Sequence, residues 1–221
     1  MSLLDSLHPS AKLDWSSYLL TCLQISHTIL PSLPDNLSDL RGLKVLVLEE
    51  CPAMSLLPAC LPELFNLEKL SIIFLPLLTH LPKNLGQLKL LKVHLESCRS
   101  LGLPSFLTSM SSLRSLSFVD CPQITSLPDS ISSLSRLSSL KLNHLSGLPH
   151  VPSTLPLLPS LVKLSLRWCT GLRALPNDLG SLSCLREVDL DGCRQLEVLP
   201  QSLLDRQNVT EVKGSWGSAR N

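Results

Sequence analysis

The sequence predicts an α/β solenoid, a file of stacked parallel strands backed by irregular, 3-10 or short helical return segments. Two markers carry this prediction. An apolar string of the form L-x-x-L-x-L-x-x-C begins anew every 23 or 24 residues, with Thr28, Leu75 and Leu145 in place of the Cys in three copies, and an apolar residue followed by proline comes after each copy. A fixed period between 20 and 50 residues is the signature of a repeat architecture. Leucine makes up about a quarter of the 221 residues, which indicates one environment repeated many times.

Eight copies of the string keep a regular register along the chain, and we number the units by them. The strings begin at Leu20, Leu43, Leu67, Leu90, Leu113, Leu137, Leu161 and Leu185. The prolines that follow them are Pro34, Pro58, Pro82, Pro104, Pro128, Pro152, Pro176 and Pro200. A ninth, degenerate copy begins at Val209. Two markers that stay in step over most of the chain exclude a chance repeat.

Each string predicts a short strand, because its fourth and sixth positions alternate with period two and therefore share one face. The residues between them point to the opposite face. Such a strand is too short to be stable alone, but strands stacked in parallel about 4.8 Å apart would merge their leucines into one core. We therefore expect a parallel ladder whose variable face lines the concave side of a horseshoe.

The return segments differ from the strands in their apolar spacing. From Ile124 to Leu134 an apolar residue recurs about every third position, around Pro128. Proline fixes φ and donates no hydrogen bond, so it suits the first turn of a helix or an irregular outer wall and disfavours a central strand. These segments predict the convex side of the solenoid.

Three parts of the chain follow from the register. Residues 1–19 lack the Leu-Pro marker and are predicted to form an N-terminal cap or a truncated repeat. Residues 20–208 form eight units of 23–24 residues, and residues 209–221 form a degenerate last repeat with a polar tail. Terminal units of a solenoid must cover its exposed core.

The consensus is that of a leucine-rich repeat, and the resemblance covers about residues 20–217. The form L-x-x-L-x-L-x-x-C-x-x-L-x-x-L-P, as in Leu161 to Pro176, resembles the repeats of plant intracellular nucleotide-binding leucine-rich-repeat receptors, which act in disease resistance. The resemblance implies a role in pathogen recognition or in restraining a defence receptor. The chain departs from full receptors because it contains no G-x-x-x-x-G-K-[ST] phosphate loop.

The charge and hydropathy of the sequence indicate which classes of partner to expect. The net charge is +1, from 19 basic and 18 acidic residues, so neither nucleic acid nor an anionic membrane is expected as the main partner. The longest nearly unbroken apolar run, Ile72 to Leu78, is far shorter than the ~20 residues of a membrane span. The N-terminus carries no basic leader, which predicts a location in the cytoplasm or the nucleus.

The cysteines and histidines predict neither disulfides nor a metal site. Five of the eight cysteines occupy the ninth position of a string and are expected as reduced, buried thiols that fill the turn after the strand. They are Cys51, Cys98, Cys121, Cys169 and Cys193. Neither C-x-x-C nor H-x-x-x-H occurs, and no motif marks a nucleophile, so we predict no cofactor and no enzymatic activity.

Variable strand positions are the candidate binding residues, because repeat proteins bind partners on their concave surfaces. Two groups differ from the serine-rich background. For each, the alternative to binding is a structural role, either packing over the end of a strand or forming a solvated face. The first surrounds an Arg-Trp pair, residue types common at interface hot spots, and the second is an apolar pair. The first group is Lys141, Asn143, His144, Arg167, Trp168, Asp189 and Asp191, and the second is Ile73 and Phe74.

The sequence thus predicts a monomeric, non-catalytic scaffold that binds another protein, either an effector or another domain of a receptor. Two alternatives remain open. The chain could be an adaptor that delivers substrates to a ubiquitin ligase, although no recruiting motif lies outside the repeats. It could also be an inactive fragment of a larger receptor, which would aggregate when expressed alone.

Overall fold

A computed structural model describes residues 19–205 and 209–214 of the chain. Within these ranges nine parallel strands form one sheet, in which every strand pairs with its neighbours in the sequence. The strands are β1 Cys22–Ser26, β2 Val45–Glu49, β3 Lys69–Ile73, β4 Lys92–Glu96, β5 Ser115–Val119, β6 Ser139–Asn143, β7 Lys163–Ser165, β8 Glu187–Asp189 and β9 Glu211–Lys213. This open ladder confirms the predicted α/β solenoid.

The register of the ladder follows the repeat in the sequence. Leu116 of β5 pairs with Leu140 of β6, and Leu140 pairs with Leu164 of β7. All three are at most 1% exposed. Since a parallel ladder places equivalent residues side by side, each leucine continues the apolar file of the unit before it. Burial of one such side chain contributes roughly 1.5–3 kcal/mol, so it takes several buried side chains per unit to offset the entropy of ordering the short strand.

The return segments form the outer wall through short 3-10 turns and one turn of α-helix. Each begins close to the proline marker, in agreement with the expectation for this residue. The 3-10 segments are Leu37–Asp39, Leu61–Glu63, Lys83–Gln87, Leu107–Ser109, Asp129–Ser133, Leu155–Leu157 and Leu179–Ser181, and helix α1 is Gln201–Leu204. Each contributes at least one buried apolar residue to the shared core.

The five ninth-position cysteines are buried, as predicted, and each thiol donates to a backbone carbonyl of the preceding unit. The Sγ of Cys169 lies 2.8 Å from the Leu142 oxygen, and that of Cys193 lies 3.0 Å from the Leu166 oxygen. Burial raises the pKa of Cys169 to about 12 and that of Cys193 to about 11. These thiols therefore pack in the core and also donate hydrogen bonds to backbone carbonyls of the preceding unit.

The eighth position of every unit adopts left-handed backbone geometry. The N–H of these residues in units one to seven donates the last ladder bond to the next unit, and the positive φ then turns the chain so that the ninth residue enters the core. The seven non-glycine residues have φ between 50° and 58°, and they are His27, Glu50, Phe74, Ser97, Asp120, His144 and Trp168. Gly192 in unit eight has φ 77°. Only the glycine avoids the cost of roughly 1–2 kcal/mol that an L-residue incurs here.

Strands β7 and β8 are shorter than the other six full-repeat strands because side chains take over their last backbone donors. The N–H of Arg167 donates to Oδ1 of Asn143 at 3.1 Å, and the N–H of Asp191 donates to Oδ1 of Asp189 at 3.2 Å. Each donor follows the strand by two residues. The strand direction is kept, but the regular ladder stops two residues early.

The chain ends are described only in part. Of the segment 1–19, predicted as a cap or a truncated repeat, only Leu19 lies within the described residues. At the other end β9 pairs with β8 in the register of the earlier strands, with Val212 opposite Val188. Most of the predicted polar tail lies outside the described residues.

Candidate protein-binding surface

The candidate surface consists of the outward positions of the strands and the left-handed row at their carboxyl ends. The third, fifth and seventh positions of each string point away from the core, as the period-two pattern predicts. Residues at the eighth position form a rim beside them. Neighbouring units bring equivalent positions about 4.8 Å apart, so side chains from consecutive units touch.

Trp168 is the centre of a stack along this rim. Its ring lies parallel to that of His144 in the preceding unit, with centroids 6.1 Å apart and planes 11° from parallel. The guanidinium carbon of Arg194, from the following unit, lies 5.7 Å from the indole centroid. The tryptophan still exposes 38% of its surface. It is therefore in contact with two neighbours and still keeps more than a third of its surface accessible to a partner.

Gly192 makes room for this stack. A Cβ atom at position 192 would lie 2.6 Å from Cδ2 and 2.8 Å from Cε3 of Trp168. The indole consequently covers the backbone of the following unit, which a side chain at Gly192 would prevent. The sequence contained a signal for this contact. Glycine replaces a larger residue at the eighth position only in unit eight, the unit that follows the one with the tryptophan.

Arg167 points outward and is tied to the acidic side chains of unit eight. Its Nη2 atom lies 3.3 Å from Oδ2 of Asp191, and its Nε atom lies 3.7 Å from Oδ2 of Asp189. Lys163 forms a similar pair with Glu187 at 2.8 Å. The structure thus brings Arg167, Asp189 and Asp191 together as the sequence suggested, in a group of one cation and two carboxylates.

Asn143 differs from the other candidates because it is only 5% exposed. Its Oδ1 atom accepts bonds from the Ser165 hydroxyl at 2.8 Å and from the Arg167 backbone N–H. The amide therefore organises the end of β7, and its side chain is not presented to solvent. Lys141, two residues earlier, is exposed on the same strand.

The second candidate pair lies four units away from Trp168. Phe74 occupies the left-handed row and exposes 43% of its surface, while Ile73 is half-buried. Ile73 lies between Glu49 of β2 and Glu96 of β4 in the ladder. Val45 and Val47 of β2 are also half-buried, so the apolar pair continues into unit two.

His94 lies at the middle of the ladder and was not among the predicted site residues. Its Nδ1 atom lies 2.9 Å from the Ser117 hydroxyl, and its Nε2 atom lies 3.0 Å from Oε2 of Glu96. Burial lowers the pKa of His94, which outweighs the opposing effect of Glu96, and Lys141 and Lys69 lower it further. Ser71 and Ser117 are buried beside it, although serines at these positions were expected to face solvent.

Arg194 was missed as well, because it follows the ninth-position cysteine and lies outside the strand positions on which the prediction was based. Across the described ranges, no group of three or more His, Cys, Asp or Glu residues could hold a metal ion. None of the helices in those ranges is long and apolar enough to cross a membrane.

Comparison with family models and with curated proteins finds no match. Solved structures do match. The leucine-rich-repeat domain of the type III effector XopL is 24% identical, with a TM-score of 0.72 over 95% of this chain and 78% of that chain. Internalin C2 of Listeria monocytogenes is 18% identical, with a TM-score of 0.58 over 88% of this chain and 80% of that one. Another Listeria monocytogenes internalin, InlF, is 15% identical, with a TM-score of 0.55 over 90% and 68%. These likenesses and the nine-stranded ladder show that the chain has the leucine-rich-repeat fold.

Proposed function

We propose that this protein is a non-catalytic scaffold that binds another protein through its strand face and the rim around Trp168. The main support for this proposal is the stack of His144, Trp168 and Arg194, in which a tryptophan is held in place and still exposed. Tryptophan and arginine are the residue types most often found at interface hot spots. A pre-positioned aromatic ring also loses little conformational freedom on binding.

Charged side chains lie next to this rim. Arg167 with Asp189 and Asp191 forms a network beside the tryptophan, and Lys141 adds an exposed cation one unit earlier. Such exposed pairs contribute little to stability, about 0–1 kcal/mol each. They can exchange partners readily when a binding protein offers competing charges. Ile73 and Phe74 would form a second, separate contact.

The biological setting that we propose is plant-type intracellular immunity in the cytoplasm or nucleus, as ligand recognition or as restraint of a defence receptor. Support comes from the recurring Leu-Pro and ninth-position cysteine, which resemble the repeats of plant disease-resistance receptors. We propose that the protein acts as a monomer. The adaptor and receptor-fragment alternatives predict, respectively, copurification with a ubiquitin ligase and aggregation in size-exclusion chromatography.

The test is affinity capture from plant leaf extract with the wild-type protein and with an Arg167→Ala/Trp168→Ala variant. A matched control, Leu157→Ala/Arg173→Ala, removes an exposed apolar residue and an arginine from the outer wall. Captured proteins are then purified and titrated by calorimetry. We expect the rim variant to bind at least about tenfold more weakly, since a hot-spot residue contributes 2 kcal/mol or more.

Equal binding by all three proteins would refute the assignment of the rim. Turnover in a broad hydrolase panel would refute the non-catalytic assignment. Capture of defence proteins from leaf extract, lost in the rim variant and kept in the control, is the result expected for the immune role.

A further inference from the structure

The charges on the strand face of units two to six are segregated across the strands. At the strand starts and centres lie five lysines and arginines and one glutamate, and that glutamate, Glu68, pairs with Lys44 at 3.7 Å. The other four cations, which we call the basic band, are Lys69, Lys92, Arg114 and Lys141. At the strand ends lie only acidic groups among the fully charged residues. This acidic edge consists of Glu49, Glu50, Glu96 and Asp120.

The basic band is not neutralised within the part of the chain that the structure describes. None of its four side chains makes an ion pair there, whereas Lys163, Arg167 and Lys213 in the later units all do. Lys69 and Lys92 are also direct partners in the ladder between β3 and β4. Like charges placed directly opposite each other destabilise a sheet. This cost is unmatched by any internal contact of the described residues, so an external anionic group would relieve it.

The acidic edge is occupied differently. Glu50 pairs with His27 at 2.8 Å, Glu96 with His94 at 3.0 Å, and Asp120 accepts a bond from Ser97. These neighbours donate hydrogen bonds without supplying a permanent positive charge. With histidine counted as neutral, the formal charge of the edge is therefore negative, opposite the basic band.

The floor between the two rows is low and partly apolar. Its fifth positions in units two to five are Val47, Ser71, His94 and Ser117, of which the two serines are buried, and the half-buried Ile73 and Val119 stand at the seventh position. Lys69 and Lys92 stand at the third position and Arg114 at the second, so the band lies about 13 Å or more from the seventh position in units three to five, whereas Lys141 stands at the fifth position of unit six. An α-helix with its side chains is roughly 10–12 Å wide, so one helix lying across the strands fits between the rows.

The spacing along the solenoid matches such a helix as well. Adjacent units repeat every 4.8 Å or so, and residues three or four apart on a helix face lie about 5–6 Å apart. From β2 to β6 there are four such steps, roughly 19 Å, which a helix covers with about 13 residues. Successive acidic residues on one helix edge would therefore face successive cations of the basic band.

We propose that units two to six bind an α-helical segment of a partner protein that carries acidic residues on one edge and basic residues on the other, with a small or apolar stripe between them. The acidic edge disfavours nucleic acid or an anionic membrane, because either would bring negative charge against Glu49, Glu96 and Asp120. This inference rests on the proposed function in that the strand face is taken as a protein-binding surface, but apart from Lys141 it uses other residues than the rim around Trp168.

The experiment uses two stapled helical peptides of about 18 residues with identical composition, and circular dichroism verifies that both are helical. One has Glu along one edge, Lys along the other and Ala and Leu between. Its isomer alternates the two charges along both edges. Binding to the full chain is measured by calorimetry at low and at physiological salt. We expect the segregated peptide to bind about tenfold or more tightly than the isomer, with affinity falling as salt rises.

Variants place the contact. Lys69→Glu/Lys92→Glu should reduce binding of the segregated peptide at least about tenfold, because two attractive contacts become repulsive. A control variant, Lys83→Glu/Arg99→Glu, makes the same charge change at exposed positions off the strand face and should bind like the wild type. A third peptide with Lys facing the reversed residues should restore binding to the first variant.

Equal affinity for the two isomers, no binding by either, or equal effects of the two double variants would overturn the proposal. Tighter binding of a single-stranded oligonucleotide or of phosphatidylserine vesicles than of the segregated peptide would also overturn it, in favour of a polyanion. Failure here with partner binding still dependent on Trp168 would leave the proposed function standing. Loss of the Trp168 dependence with peptide binding intact would reject only the rim.

Discussion

The contact between Gly192 and Trp168 gives a quantitative prediction for Gly192→Ala. Two costs are expected. An L-residue at φ 77° costs about 1 kcal/mol in backbone strain, which the other seven units already accept at their eighth positions. The new Cβ would also lie 2.6 Å from the indole, and relieving such overpacking costs about 1–2 kcal/mol more. The free energy of unfolding should therefore fall by about 2–3 kcal/mol.

A double-mutant cycle separates the two costs. In a Trp168→Ala background the indole is absent, so Gly192→Ala should cost only the backbone strain of about 1 kcal/mol. The coupling between the two sites is then about 1–2 kcal/mol. Urea unfolding followed by far-ultraviolet circular dichroism measures all four proteins without depending on tryptophan fluorescence. Equal losses in both backgrounds would refute the account of the stack.

Three further predictions concern the core, the strand face and the return segments. Ellman's reagent should label exposed Cys22 quickly in the native protein and Cys193 only after unfolding, because burial raises the pKa of Cys193 to about 11. The pKa of His94 is lowered by burial, so the folded state resists protonation of this residue. The free energy of unfolding should therefore fall as the pH drops below the pKa of about 6.5 that histidine has in the unfolded chain. The His94→Gln variant should lose less stability than the wild type between pH 7 and 5. Gly180→Ala would bring a Cβ into collision with the backbone oxygen of Ser202 in the next unit and should cost about 2 kcal/mol, while Gly102→Ala, with open space around it, should be nearly neutral.

Residues at fixed positions of the repeat were predictable from the sequence for a physical reason. A ladder with a period of 23 or 24 residues leaves only one register in which Leu116, Leu140 and Leu164 can share a core, and the structure has that register. The same logic placed Cys169 and Cys193 in the turn. These residues are determined by stacking, which every unit repeats, so the pattern of one unit specifies the others.

Residues whose environment depends on a neighbouring unit were harder to predict. Burial of Asn143 follows from its bonds to Ser165 and to the backbone of Arg167, which belong to the next unit. The position of Arg194 beside Trp168 depends on the indole lying over Gly192. The repeat period predicts the position of a residue in its unit. The contacts of its side chain depend on the residues that the next unit places beside it.

The left-handed row shows a signal that was present and not used. His, Asp and Ser occur at the eighth position among larger residues, and unit eight has a glycine there. Asparagine, aspartate and histidine are enriched at positive φ, and glycine adopts it at no steric cost. The common geometry therefore had a sequence trace, although Phe74 and Trp168 obscured it, since aromatic residues rarely adopt this conformation.

Neighbouring residues of β6 allow the most direct test of the central claim that one shared core carries stability while the outward strand positions are free to vary for binding. Leu140 points inward and is 1% exposed, whereas Lys141 points outward. Urea unfolding of the two alanine variants should show a loss of about 3–5 kcal/mol for Leu140→Ala and a change within about 0.5 kcal/mol for Lys141→Ala. Similar losses for both variants, or a larger loss for Lys141→Ala, would contradict the account.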